Sequence, residues 1–136
     1  MFHDKFLLLG YLLFCIGTLL GIPHGLSKRR GSPAQTELWR VAHLSTCVGG
    51  ISVIGMTMAL GTLLQELAIY TLAPFTIAAY CFFAACTLSG WLNLSWDGNR
   101  DLPKVKLIYR LQILASTLSV IAIVVSLLSL LFKGYM

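Results

Sequence analysis

One long apolar stretch constrains the fold more than any other feature of this sequence. It follows Ser32 and Pro33, a serine N-cap and a proline at the first helical position, and Gln35 completes a capping box. From Val41 onward the residues are almost wholly apolar for about six turns, enough to enter and cross a bilayer. Hydrocarbon offers no partner to backbone polar groups, so the segment must be a helix that satisfies its own.

The composition extends this conclusion to the whole chain. Of its 136 residues 57% are hydrophobic and 11% are charged, whereas about a quarter of the residues in soluble domains are charged. The apolar segments are long rather than short and alternating, which favours helices over a barrel. We therefore expect an all-α integral membrane protein, a four-helix bundle that forms a single domain over residues 1–136. The predicted spans are 6–22, 41–64, 67–92 and 107–132.

Two basic loops predict the orientation of the chain. Residues 23–31 are expected to form a loop with the run Lys28–Arg30, and a second polar loop covers 93–106. The loops and adjoining helix ends carry about eight Lys and Arg, against about two on the opposite side, so the loops should be cytoplasmic and both termini outside. The net charge of +5 is then explained by orientation and by contact with membrane lipid, without a nucleic-acid partner.

His43 is the first candidate for function. It lies one turn after Arg40 and one turn before Cys47, just past the boundary that Trp39 and Arg40 are expected to mark at headgroup level. It either bonds a neighbouring helix or reaches water, or it is a metal or haem ligand through one ring nitrogen. In the second case Cys47 and Gly50 on its face would leave room for a flat macrocycle, and Arg40 would pair with a propionate. The pattern alone leaves both interpretations open.

Polar residues near the end of the third span form a second candidate group. Gly90, Asn93 and Asp97 share one helical face, and Ser89 lies beside them. Asn93 would equally serve to cap the helix, and Asp97 begins a turn signal.

Two patches resemble a known family of small membrane enzymes. Gly31–Pro33, followed by Trp-x-x-Ala-His at Trp39–His43, resembles the start of helix two in styrene oxide isomerase. The run Ala42–Leu44 is similar to hydroxylaminobenzene mutase. Gly-Trp-x-Asn at Gly90–Asn93, with Asn99–Arg100, resembles the third helix of the isomerase and the loop after it.

The resemblance implies a homotrimer of the bacterial inner membrane that binds haem b, with His43 as the iron ligand. It implies an isomerase or mutase whose ferric iron acts as a Lewis acid on a small apolar epoxide or hydroxylamine arriving from the lipid phase. The sequence departs from the family at Gly49, Ser89 and Asp97, where the family has asparagine, aspartate and tyrosine. We expect Asn93, Asp97 and Ser89 to hold the leaving or migrating group, and styrene oxide to be a poor substrate.

Two other function classes remain open on the sequence. His24 and His43 flank one predicted loop, so two histidine ligands would give a non-catalytic or electron-transferring b-type haem protein. A small multidrug exporter is the third class, but its proton coupling needs a membrane-embedded carboxylate, and the first predicted span contains none.

Overall fold

The computed structural model describes residues 2–63, 68–94 and 102–134. Four helical segments there are long and apolar enough to cross a membrane, which confirms the predicted all-α membrane architecture. Their bounds are His3–Arg30, Pro33–Leu60, Ile69–Leu92 and Pro103–Ser129. The helices, numbered in chain order, are α1 (Phe2–Leu19), α2 (Gly21–Arg30), α3 (Pro33–Leu63), α4 (Ala68–Leu92) and α5 (Pro103–Gly134).

The segment 23–31, predicted as a loop, is almost wholly helical. Leu20, between α1 and α2, keeps a right-handed helical backbone with φ −65° and ψ −13°, so the first span continues into α2. Pro23 falls in the first turn of α2, where a helix tolerates a residue without an N–H. The run Lys28–Arg30 forms the last turn, where positive charge suits the helix C-terminus. The loop prediction was wrong because each of its signals occupies a position that a helix tolerates.

Both α3 and α5 begin with a proline as the first helical residue. The Gln35 amide donates to the Ser32 hydroxyl oxygen at 3.2 Å, which confirms the predicted N-cap of α3, with Pro33 as the first helical residue. The helix α5 likewise begins on a proline, Pro103, earlier than the predicted start at 107.

Close backbone contact joins α1 to α3. A Cβ added at Gly50 would lie 2.5 Å from the backbone nitrogen of Phe14, and one added at Gly17 would lie 2.6 Å from that of Cys47. Only glycine allows this approach, and membrane helices commonly pack through such small residues. We call the packed surfaces around these glycines the α1–α3 interface.

The helix α5 lies at one edge of the bundle. In the described residues α3 packs against α1, α2 and α4, whereas α5 packs against α4 and against no other helix. A cleft therefore separates α3 from α5 on one side of α4. Large apolar side chains of α5, such as Val120 and Leu127, are exposed, as lipid-facing residues are.

Candidate functional site

The imidazole of His43 is held by the backbone of α1. Its Nδ1 lies 2.7 Å from the carbonyl oxygen of Gly17, and the ring is half-buried. Gly17 belongs to the last turn of α1, where carbonyl groups have no partner within their own helix. A carbonyl oxygen only accepts, so Nδ1 donates the hydrogen and Nε2 keeps its lone pair. This hydrogen bond fixes both the tautomer and the orientation of the ring.

Cys47 and Gly50, which we expected to contact the cofactor beside His43, both face α1. The Cys47 sulfur is 3.9 Å from His43 Nδ1, the nitrogen that Gly17 already occupies. Gly50 is buried against Phe14, so α1 fills the space beside this glycine that we expected a macrocycle to use. Cys47 thus packs beside the ring, Gly50 packs against α1, and neither residue leaves open space at its α1 contact.

Arg40 is already engaged in an ion pair. Its guanidinium donates two hydrogen bonds to the Glu37 carboxylate, at 2.6 and 2.8 Å, one turn earlier on α3. Both side chains are about half exposed, so water competes with the pair. Pairs of this kind are weak, and another carboxylate can take the place of Glu37 at little cost.

A second imidazole, that of His24, faces the same region. The structure places His24 on α2, with its ring centroid 6.2 Å from that of His43 and the planes tilted by 36°. Its Nε2 is buried without a hydrogen-bond partner. A buried nitrogen with no partner is unfavourable, which makes this atom a candidate contact for a bound group.

These donors fit a haem better than a bare metal ion. In the described ranges no three His, Cys, Asp or Glu side chains lie close enough to hold a metal ion. A haem brings four nitrogen ligands of its own and needs one or two from the protein. His43 would provide one such ligand through the lone pair of Nε2, and its Nδ1–H is held by Gly17 as the N–H of a ligating histidine usually is.

The polar residues at the end of α4 have structural partners. The buried Ser89 hydroxyl donates to the carbonyl of Ala85 at 2.9 Å. Asn93 adopts φ 50° just after α4, and the Leu94 amide bonds the Ser89 carbonyl at 3.1 Å. This pattern is a Schellman C-cap, in which asparagine is one of the few residues that tolerate the left-handed conformation. No hydrogen bond joins Ser89 or Asn93 to His43 in the described residues, and Asp97 lies outside them.

The indole of Trp39 is less exposed than the sequence suggests. We expected it at headgroup level, but it is buried against Ala42 and Cys86, and a Cβ on Gly90 would lie 2.8 Å from its Cδ2 atom. The Gly-Trp motif of α4 thus contributes its glycine to the packing of α4 on α3.

The role of Gly17 was not predicted from the sequence. A stripe of glycines at Gly17, Gly21 and Gly25 indicates close packing, and Gly17 indeed packs on α3. The pattern does not say which residue of α3 its carbonyl meets. A polar side chain predicted inside the membrane, with no partner on its own helix, is the signal that would direct a search to such carbonyls.

The chain was compared with protein families, curated proteins and solved structures. The profile of the family described as styrene oxide isomerase matches residues 2–131, nearly the entire chain. No curated protein and no solved structure matches it. The chain belongs to the styrene oxide isomerase family.

Proposed function

We propose that the protein is a haem b-dependent membrane isomerase in which His43 binds the iron through Nε2. The hydrogen bond of 2.7 Å from His43 Nδ1 to Gly17 carries the proposal. Ligating histidines donate their second N–H to such an acceptor, which orients the ring and raises its basicity. Membership of the styrene oxide isomerase family supports the reaction class.

Bound ferric haem would supply a Lewis acid to the oxygen of a small apolar epoxide or an N-aryl hydroxylamine. The chain's own residues would hold and orient the haem: the Gly17 carbonyl fixes the His43 ring, and Cys47 packs beside that ring. Arg40 lies one helical turn before His43, so its guanidinium would pair with a haem propionate in place of the Glu37 carboxylate. On the substrate side we propose Asn93, Ser89 and Asp97, of which Ser89 and Asp97 differ from the residues of the isomerase.

The second candidate function is a b-type haem protein with two histidine ligands. The buried and unpartnered Nε2 of His24, with its ring 6.2 Å from that of His43, favours it. If both His24 and His43 bound the haem iron, no ligand position would be left for a substrate oxygen, so the two functions exclude each other.

Absorption spectra combined with an activity assay separate the two functions. The protein is purified from haem-replete cells, and its spectrum is compared with those of His43→Ala and His24→Ala, with His3→Ala as the matched control. If the protein is the isomerase, His43→Ala should lose both the Soret band and the rearrangement of epoxides, while His24→Ala should keep a five-coordinate spectrum. A six-coordinate parent spectrum that changes in both variants would instead identify the two-histidine protein.

We also propose a homotrimer in the bacterial inner membrane, with both termini outside and the basic end of α2 in the cytoplasm. Single cysteines in a background without native cysteines test the orientation. A probe that does not cross membranes should label positions next to Lys5 and Lys133 but not next to Arg29. The reverse labelling would invert the topology and leave the haem proposal untouched.

A further inference from the structure

A cavity of about 370 Å³ lies in the cleft between α3, α4 and α5. Its wall combines small residues with two aromatic rings, Phe75 and Phe82, and no charged side chain lines it. Val48 and Ser116 are exposed, so the cavity opens to the surrounding lipid. Four serines contribute hydroxyl groups: Ser45 and Ser52 from α3, and Ser116 and Ser119 from α5. We call this cavity the serine cleft.

Three of these hydroxyls are unusual for serines in a membrane span. Ser52, Ser116 and Ser119 make no hydrogen bond in the described part of the chain. Elsewhere on α5, Ser126 and Ser129 donate to carbonyls one turn earlier, at 2.8 and 2.7 Å. Serines in hydrocarbon normally make this bond because no water is there to replace it. The three cleft hydroxyls therefore keep donors that a guest molecule can use.

The serine cleft is separate from the His43 site. His43, Cys47 and Gly50 contact α1, whereas Ser45 and Ser52 line the cleft toward α4 and α5. Gly49 lies between the two, with Leu13 of α1 and Ala79 of α4 as its neighbours. Residues of α3 thus serve two different sites on different faces of the helix.

We propose that the serine cleft binds a small, uncharged, aromatic or apolar molecule that carries one hydrogen-bond acceptor. The hydroxyls donate to the acceptor, and Phe75 and Phe82 pack against the apolar part. A carboxylate is excluded because no cationic side chain lines the cleft to offset its desolvation. The inference goes beyond the proposed function, since it requires neither haem nor His43.

Fluorine NMR in lipid nanodiscs tests the proposal with two probes of nearly the same shape. One is para-fluoroacetophenone, and the other is para-fluoro-α-methylstyrene, in which a methylene group replaces the carbonyl oxygen. We expect saturable binding of the ketone, about fivefold tighter than that of the alkene, the ratio that one hydrogen bond supplies. The same preference should persist in His43→Ala, which separates failure of this site from failure of the haem site.

Serine variants locate the binding. Combined Ser52→Ala, Ser116→Ala and Ser119→Ala should remove the preference for the ketone, while Ser129→Ala, whose hydroxyl bonds its own helix, should retain it. Gly49→Leu should abolish binding of both probes, because a Cβ at Gly49 meets only ordinary contacts, at 3.5 and 3.7 Å, and the rest of the side chain can enter the cleft. Circular dichroism verifies that each variant is folded.

Three outcomes would overturn the proposal. The first is non-saturable partitioning of both probes into the lipid. The second is a preference for the ketone that survives the triple serine variant. The third is unchanged binding of both probes in Gly49→Leu; a changed oligomeric state in that variant would then identify the cleft as a packing surface for a second copy of the chain.

Discussion

The α1–α3 interface and the serine cleft lie on different faces of α3, and they differ in how closely the helices pack. At the interface, Gly17 and Gly50 bring two backbones into direct contact, and the carbonyl of Gly17 immobilises His43. At the cleft, the backbones of α3 and α5 stay apart in the described residues, and three serine hydroxyls keep free donors. Tight packing would suit the proposed iron ligand, which must keep one orientation, whereas a loose cleft would suit the proposed guest molecule, which must enter and leave.

Adjacent glycines give the sharpest test of this difference. A Cβ at Gly50 would lie 2.5 Å from the Phe14 nitrogen, so Gly50→Ala should destabilise the protein by about 3 kcal/mol, since backbone must move. Gly49→Ala should be neutral or stabilising by up to about 1 kcal/mol, because its Cβ has room and alanine favours the helix. Thermal unfolding in detergent measures both. Equal effects would show that the two faces of α3 are packed alike.

The end of α4 offers a test of intermediate size. Asn93→Gly should leave stability nearly unchanged, while Asn93→Val should cost about 1–2 kcal/mol, because a β-branched residue is strained at φ 50°. Epoxide turnover measured in parallel separates the two roles of this residue. Lost turnover in a stable Asn93→Gly protein would assign Asn93 to the substrate side, whereas unchanged turnover would leave it a helix cap.

The Glu37–Arg40 pair should show the smallest effect. Glu37→Gln removes an exposed ion pair, so we expect no measurable change in unfolding temperature. It also releases Arg40, and haem retention during dilution should stay the same or improve if Arg40 binds a propionate. Faster haem loss in Glu37→Gln would contradict that role for Arg40.

The features that could be predicted from the sequence are local ones. Continuous apolar runs predict the four spans, and Ser32 with Pro33 predicts the start of α3, because both signals depend on neighbours in the chain. The helix α2 was missed because Pro23 and the basic run read as a loop when their positions within a turn are unknown. The contacts of Gly50 and Trp39, the acceptor for His43 and the free hydroxyls of the serine cleft depend on which helix faces meet, and hydropathy does not encode that.

Ligation of iron by His43 is the central claim, and rescue of the absorption spectrum tests it most directly. The protein from haem-replete cells should show a Soret band that His43→Gly lacks, and added imidazole should restore it by replacing the missing ring. His3→Gly should keep the band without imidazole. A colourless parent protein, or a His43→Gly variant with the parent's spectrum, would contradict the claim.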